Sequence, residues 1–84
     1  MTDKEWNELC EWVKSLNSKH CFIDKFNGEE KILAGIYGGD YIEITKDGDI
    51  IEFDFGTFIA ENRTTKQIKE IIKNIVDEVS YDKS

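Results

Sequence analysis

Tyr41-Ile42-Glu43-Ile44-Thr45-Lys46-Asp47-Gly48-Asp49-Ile50-Ile51-Glu52-Phe53-Asp54-Phe55 decides the fold of this 84-residue chain. Apolar and polar residues alternate on both sides of Asp47-Gly48, the strongest short-range mark of a β-hairpin closed by a two-residue turn. Counting outward pairs Lys46 with Asp49, Thr45 with Ile50, Ile44 with Ile51, Glu43 with Glu52, Ile42 with Phe53 and Tyr41 with Asp54. In that register Ile42, Ile44, Ile51 and Phe53, continued by Phe55, share the core face, and Glu43, Glu52 and Asp54 share the other. The outer face is expected to be acidic. From Gly38 to Asp54, six carboxylates (Asp40, Glu43, Asp47, Asp49, Glu52 and Asp54) stand against Lys46 alone, which accounts for five of the seven net negative charges. Glu43 opposite Glu52 puts two like charges about 4.5 to 5.5 Å apart at Cβ, a liability of up to about 1 kcal/mol that a Lys or Arg from a partner would relieve.

Outward from the hairpin, two earlier strands are bounded by turn signals, Cys21 to Phe26 ending at Asn27-Gly28 and Lys31 to Tyr37 ending at Gly38-Gly39. A three-residue loop at Gly38-Gly39-Asp40 pairs Ile36 with Ile42, turns Ile32, Ala34 and Ile36 inward, and sets Tyr37 against Tyr41 outside; a two-residue loop would turn Leu33 and Tyr37 inward instead. Thr57 to Ala60 reads as a bulged continuation of the last strand or as a packed connection. The strands are flanked by helices, each opened by a capping box: Thr2 with Glu5, and Thr64 with Gln67. Trp6, Leu9, Cys10, Val13 and Leu16 form one helical stripe flanked by Trp12 and stopped at Asn17-Ser18. The second comprises Ile68, Ile71, Ile72, Ile75, Val76 and Val79. One α+β domain, 1–84, follows: helix about 2–17, strands about 21–26, 31–37, 41–46 and 49–55, helix about 64–80. Both apolar stripes need cover, so the α-β-β-β-β-α order implies an antiparallel sheet with both helices on one face.

Composition narrows the function. Eighteen Asp and Glu against eleven Lys and Arg give a net charge of -7, so the long-range field disfavours a nucleic-acid backbone or an anionic membrane and favours a basic protein. Two cysteines in no paired motif suggest reduced thiols in a cytosolic setting. The chain begins with no secretory signal and contains no apolar run approaching the roughly 20 residues that span a bilayer, so a cytoplasmic location is expected. One arginine among ten lysines accompanies AT-rich coding and points to a bacterium or its phages.

Other chemistry-bearing groups are weaker signals. Glu43 to Asp54 has EF-hand length, but Glu43, Thr45 and Asp54 stand where Asp, Asp or Asn, and Glu belong, within strand-like flanks. Cys10, His20 and Cys21 supply neither four zinc ligands nor an oriented nucleophile and base, so Cys10 is assigned to the core and His20 to a loop. No metal, cofactor or catalytic group is expected. Lys66, Lys69 and Lys73, preceded by Arg63, form the one basic stripe, a solvated helix face or an anion contact. Trp12, Tyr37 and Tyr41 are aromatics of the kind that anchor interfaces.

The helix-sheet-helix order resembles the double-stranded-RNA-binding domain, with Lys66 and Lys69 where the last helix begins. The acidic hairpin, the extra strand and the incomplete basic cluster run against RNA binding. The favoured reading is a non-enzymatic inhibitor or adaptor that docks its acidic hairpin on a basic surface, including one that ordinarily holds nucleic acid. The binding residues are expected to be Asp40, Glu43, Asp47, Asp49, Glu52 and Asp54, with Tyr37 and Tyr41. Small acidic phage counter-defence proteins, anti-CRISPR inhibitors among them, and immunity proteins share this size and charge, an analogy of class. The alternatives are a small metal-dependent or carboxylate enzyme built on Glu43, Glu52 and Asp54, and a self-associating structural protein using a sheet edge or the tyrosine patch. Whether the chain is a monomer or a homodimer is left open by its sequence.

Overall fold

A computed structural model describes the backbone of residues 1–35, 40–53 and 56–82 and the side chains of these up to residue 78. The expectations for Ile36, Tyr37, Gly38, Gly39, Asp54, Phe55 and the Val79 side chain lie outside the described residues. The elements run α1 (Asp3–Leu16), β1 (Cys21–Phe26), β2 (Glu29–Gly35), β3 (Tyr41–Ile44), β4 (Ile50–Glu52), β5 (Phe58–Ala60) and α2 (Thr65–Asp82). The five strands form an antiparallel meander in sequence order. Within the Thr57 to Ala60 run, Phe58–Ala60 therefore supplies a fifth strand, paired with β4.

Both helices begin as their sequences dictate. The Thr2 hydroxyl accepts from the Glu5 N–H at 3.1 Å while the Glu5 carboxylate accepts from the Thr2 N–H at 2.9 Å. Thr64 and Gln67 repeat the exchange at 3.2 and 2.9 Å, so each helix has two of its orphan amides satisfied locally. Asn17 ends α1 in the left-handed conformation, φ 49°, with its N–H on the Lys14 carbonyl. Helix α1 packs on β1, α2 packs on β2, and the two helices touch. Lys69 of the basic stripe lies 5.4 Å from the centre of the Trp12 ring and ties α2 to α1 by a cation–π contact.

The core lies between the helices and one sheet face. Trp6, Leu9, Cys10 and Val13 meet Cys21, Ile32, Ala34, Ile42, Ile44, Ile50, Ile68, Ile72 and Ile75. Both cysteines are buried and unpaired, and burial pushes each thiol up to about 11.

Strand register departs from expectation at two places with different consequences. Asn27 and Gly28 make a two-residue turn with both φ angles positive, 52° and 82°, the geometry an Asn-Gly hairpin requires. Between β2 and β3 the pairing is Ala34 with Ile42 and Ile32 with Ile44, two residues away from the expected match of Ile36 with Ile42. A two-residue displacement preserves parity, so Ile32 and Ala34 still face the core.

Between β3 and β4 the displacement is one residue. Ile44 pairs with Ile50, Glu43 with Ile51 and Ile42 with Glu52. Lys46, Asp47 and Gly48 form a three-residue loop: the Gly48 N–H donates to the Thr45 carbonyl at 2.9 Å and the Thr45 N–H to the Asp49 carbonyl at 3.0 Å. Gly48 takes the left-handed conformation at φ 86°, as the last residue of such a loop does. Every side chain of β4 is thereby turned over relative to the two-residue reading. Ile50 replaces Ile51 in the core. Phe53, expected inside, is 50% exposed, and its N–H donates to the Tyr41 carbonyl at 3.0 Å, which places it beside Tyr41 on the outer face.

The register has a tertiary cause. The Arg63 N–H, on the connection from β5 to α2, donates to the Gly48 carbonyl at 2.9 Å, and the Asn62 N–H donates to the Asp49 carboxylate at 3.0 Å. A Cβ on Gly48 would stand 2.4 Å from the Arg63 carbonyl oxygen. The turn is clamped by a backbone segment far along the chain that only a glycine lets approach.

Candidate functional site

In a meander, alternate turns fall at the same end of the sheet, so the β1–β2 and β3–β4 turns lie together. Both helix N-termini join them: the Lys46 ammonium is ion-paired with the Asp3 carboxylate, and α2 follows directly on the Asn62-Arg63 clamp. Between the two turns and the start of α1 lies a groove of about 660 Å³. It is lined by six carboxylates, Asp3, Glu29, Glu30, Glu43, Asp47 and Asp49, against two ammonium groups, Lys31 and Lys46, a net of four negative charges. The positive ends of two helix dipoles nearby make such a concentration tolerable.

Both lysines are already engaged. Lys31 Nζ is 2.9 Å from Glu43 Oε1, and the Glu43 side chain is only 17% exposed. Its hydrogen bond and charge hold the Lys31 pKa above the ordinary 10.5. The hydrogen bond from Lys46, and then its charge, lower the Asp3 pKa. Glu29, Glu30 and Asp47 are exposed and have no cation within salt-bridge distance among the described residues. The groove therefore carries carboxylates free to receive cations from outside.

Of the residues expected to bind, the structure brings Glu43, Asp47 and Asp49 into this groove. Asp40 is exposed just ahead of β3. Glu52 lies opposite Ile42, on the other face of the sheet from Glu43. The expected Glu43/Glu52 opposition does not occur, so two of the three carboxylates named for the enzyme alternative, Glu43 and Glu52, lie on opposite faces of the sheet. Tyr41 is on the outer face, packed edge-on against Phe22 with ring centroids 6.2 Å apart. Tyr37 and Asp54 lie outside the described residues. Among the described residues no cluster of three or more His, Cys, Asp or Glu side chains is arranged to hold a metal ion.

Asp3, Glu29 and Glu30 had no local signal marking them as part of a site. Only the meander topology, which stacks the Asn27-Gly28 and Asp47-Gly48 turns at one end, could have pointed to them.

The outer face between the turns is aromatic instead of acidic. Phe22 faces Leu33 across β1 and β2, Tyr41 lies over Gly35, and Ile51 faces Phe58 across β4 and β5. Phe22 is 40% exposed and Phe58 57%. The Tyr41 ring reaches Phe22 because Gly35 has no side chain: a Cβ there would stand 3.3 Å from the ring. The one-residue register difference produced this exchange, placing Ile51 and Phe53 where Glu52 was expected.

The chain matches no protein-family model, no curated protein and no solved structure. Among the described residues no helix is long and apolar enough to cross a membrane.

Proposed function

We propose that the protein is a non-enzymatic binding module, an inhibitor or adaptor that receives a basic protein surface in the groove formed by its two turn loops and the start of α1. The supporting observation is the excess of six carboxylates over two already paired lysines in one concave surface. Lys or Arg side chains entering it would gain charge-assisted hydrogen bonds and relieve the crowding of like charge. A carboxylate row of this density also presents to a nucleic-acid-binding partner what a phosphate backbone does, with fast, salt-sensitive association. In kind, the reading is that of a phage counter-defence or immunity-type inhibitor acting in a bacterial cytosol.

The test separates location from net charge. Glu29→Lys, Glu30→Lys and Asp47→Lys reverse three exposed groove carboxylates; Glu8→Lys, Glu61→Lys and Glu78→Lys reverse three exposed carboxylates outside it. Both triple variants change the net charge equally. Binding of a lysine-rich peptide, measured by titration at low and moderate salt, should collapse for the groove variant and persist for the control. Equal losses would reduce the effect to overall charge and remove the groove from the mechanism.

A further inference from the structure

Resting on the groove as the basic-partner site, we infer that the docking surface continues across the aromatic outer face of the sheet, and that its occupant is a different protein presenting an apolar protrusion rimmed by Lys or Arg. Groove and face are one surface, since Lys31, Glu43 and Ile51 belong to both. Phe22, Phe53 and Phe58 are 40%, 50% and 57% exposed there, while both helices cover the opposite face. Phe22 on β1 and Phe58 on β5 stand at the two edges of the sheet, with Tyr41 and Phe53 between them, and exposed aromatics on a rigid sheet are residues of the kind that dominate interface energies. The Lys31–Glu43 ion pair within this apolar surround is already formed, so a partner can cover it without stranding a charge.

Area and charge together choose the occupant. Five strands about 4.8 Å apart and about five residues long, at about 3.3 Å each, give a face of roughly 400 Å², about half the roughly 800 Å² per partner of a stable specific interface. The remainder must come from adjoining surface, and at the turn end that surface is the groove. A second copy stacked face to face would bring one groove's net charge of -4 against another's. A heterologous partner with a basic rim can cover both regions.

Two synthetic peptides of equal length and equal lysine count serve as probes, one completed with Gly and Ser, the other with Leu and Trp along one face. The wild-type chain should bind the amphipathic peptide at least about tenfold more tightly, a difference of about 1.4 kcal/mol. Phe22→Ser with Phe58→Ser should erase that margin and leave the Gly/Ser peptide unaffected; Phe58→Ser alone should reduce it, and serves if the double variant unfolds. Equal affinity of the wild type for the two peptides, or a margin that survives both substitutions, overturns the inference. Failure of the groove reading is separately visible as loss of salt-sensitive binding to the Gly/Ser peptide, with the amphipathic margin still readable. Sedimentation equilibrium at high micromolar concentration should show a monomer. A dimer dissociated by Phe22→Ser would make the second copy the occupant and refute the heterologous partner.

Discussion

Gly48 and Gly28 make a matched pair for testing what holds the β3–β4 register. Their φ angles are nearly equal, 86° and 82°, so replacement by Ala imposes the same left-handed strain at each, about 1 to 2 kcal/mol. Their surroundings differ. A Cβ on Gly28 meets nothing within 4 Å, whereas on Gly48 it stands 2.4 Å from the Arg63 carbonyl oxygen and 2.9 Å from its nitrogen. These are backbone atoms and cannot rotate away. The Asn62-Arg63 segment must move, releasing the Arg63 N–H from the Gly48 carbonyl and the Asn62 N–H from the Asp49 carboxylate. At about 1 kcal/mol for the neutral bond and about 1.5 to 3 for the charged one, added to the strain and less the few tenths that a stiffer unfolded chain returns, Gly48→Ala should cost about 3 to 6 kcal/mol in total. Gly28→Ala should cost about 1 kcal/mol, because the stiffer unfolded chain returns a few tenths. Urea unfolding followed by the fluorescence of Trp6 and Trp12 measures both. Expected stability for a chain of this size is about 4 to 13 kcal/mol, so Gly48→Ala should remove a large share of it and Gly28→Ala a small one. Equal losses at the two glycines would show that the clamp contributes nothing and that only the dihedral matters.

Three further outcomes follow from the same packing. Ile50→Ala should cost about 2 to 5 kcal/mol as a buried truncation, and Phe53→Ala much less because the ring is 50% exposed; the reverse order in urea unfolding would restore the two-residue turn. Asp3 and Glu5 have lowered pKa values, from hydrogen bonds to Lys46 and to Thr2 respectively. Their contribution is thus present above the ordinary carboxylate values of 3.8 and 4.5 and is lost as pH falls through the lowered folded values. Lys46→Met and Glu5→Gln should flatten the stability profile in that acid range, and an unchanged profile would remove both contacts from the account. Cys10 and Cys21, with thiols near 11, should resist a thiol-specific dye at pH 8 until urea unfolds the chain; rapid labelling of the native protein would contradict their burial.

Local rules determined much of this protein from its sequence. Both capping boxes formed, because a Thr and a Glu or Gln three residues on need only each other's backbone. The helical stripes of Trp6, Leu9, Cys10 and Val13 and of Ile68, Ile72 and Ile75 became the core, because periodicity follows from the helix itself. The Asn27-Gly28 turn follows its local signal, and a side chain at Gly28 would meet nothing within 4 Å. Asp47-Gly48 carries an equally strong local signal and closed differently, because Gly48 lies against Arg63 and the choice between two- and three-residue loops was made by a contact 15 residues away in sequence. A one-residue difference inverts a strand. It sent Ile50 inward, turned Ile51 and Phe53 outward and parted Glu43 from Glu52. The abundance of negative charge was legible in the composition, but its assembly with Asp3, Glu29 and Glu30 into a groove was not. That depends on which turns a five-stranded meander stacks at one end and on where α1 begins over them, and no local run of residues encodes either.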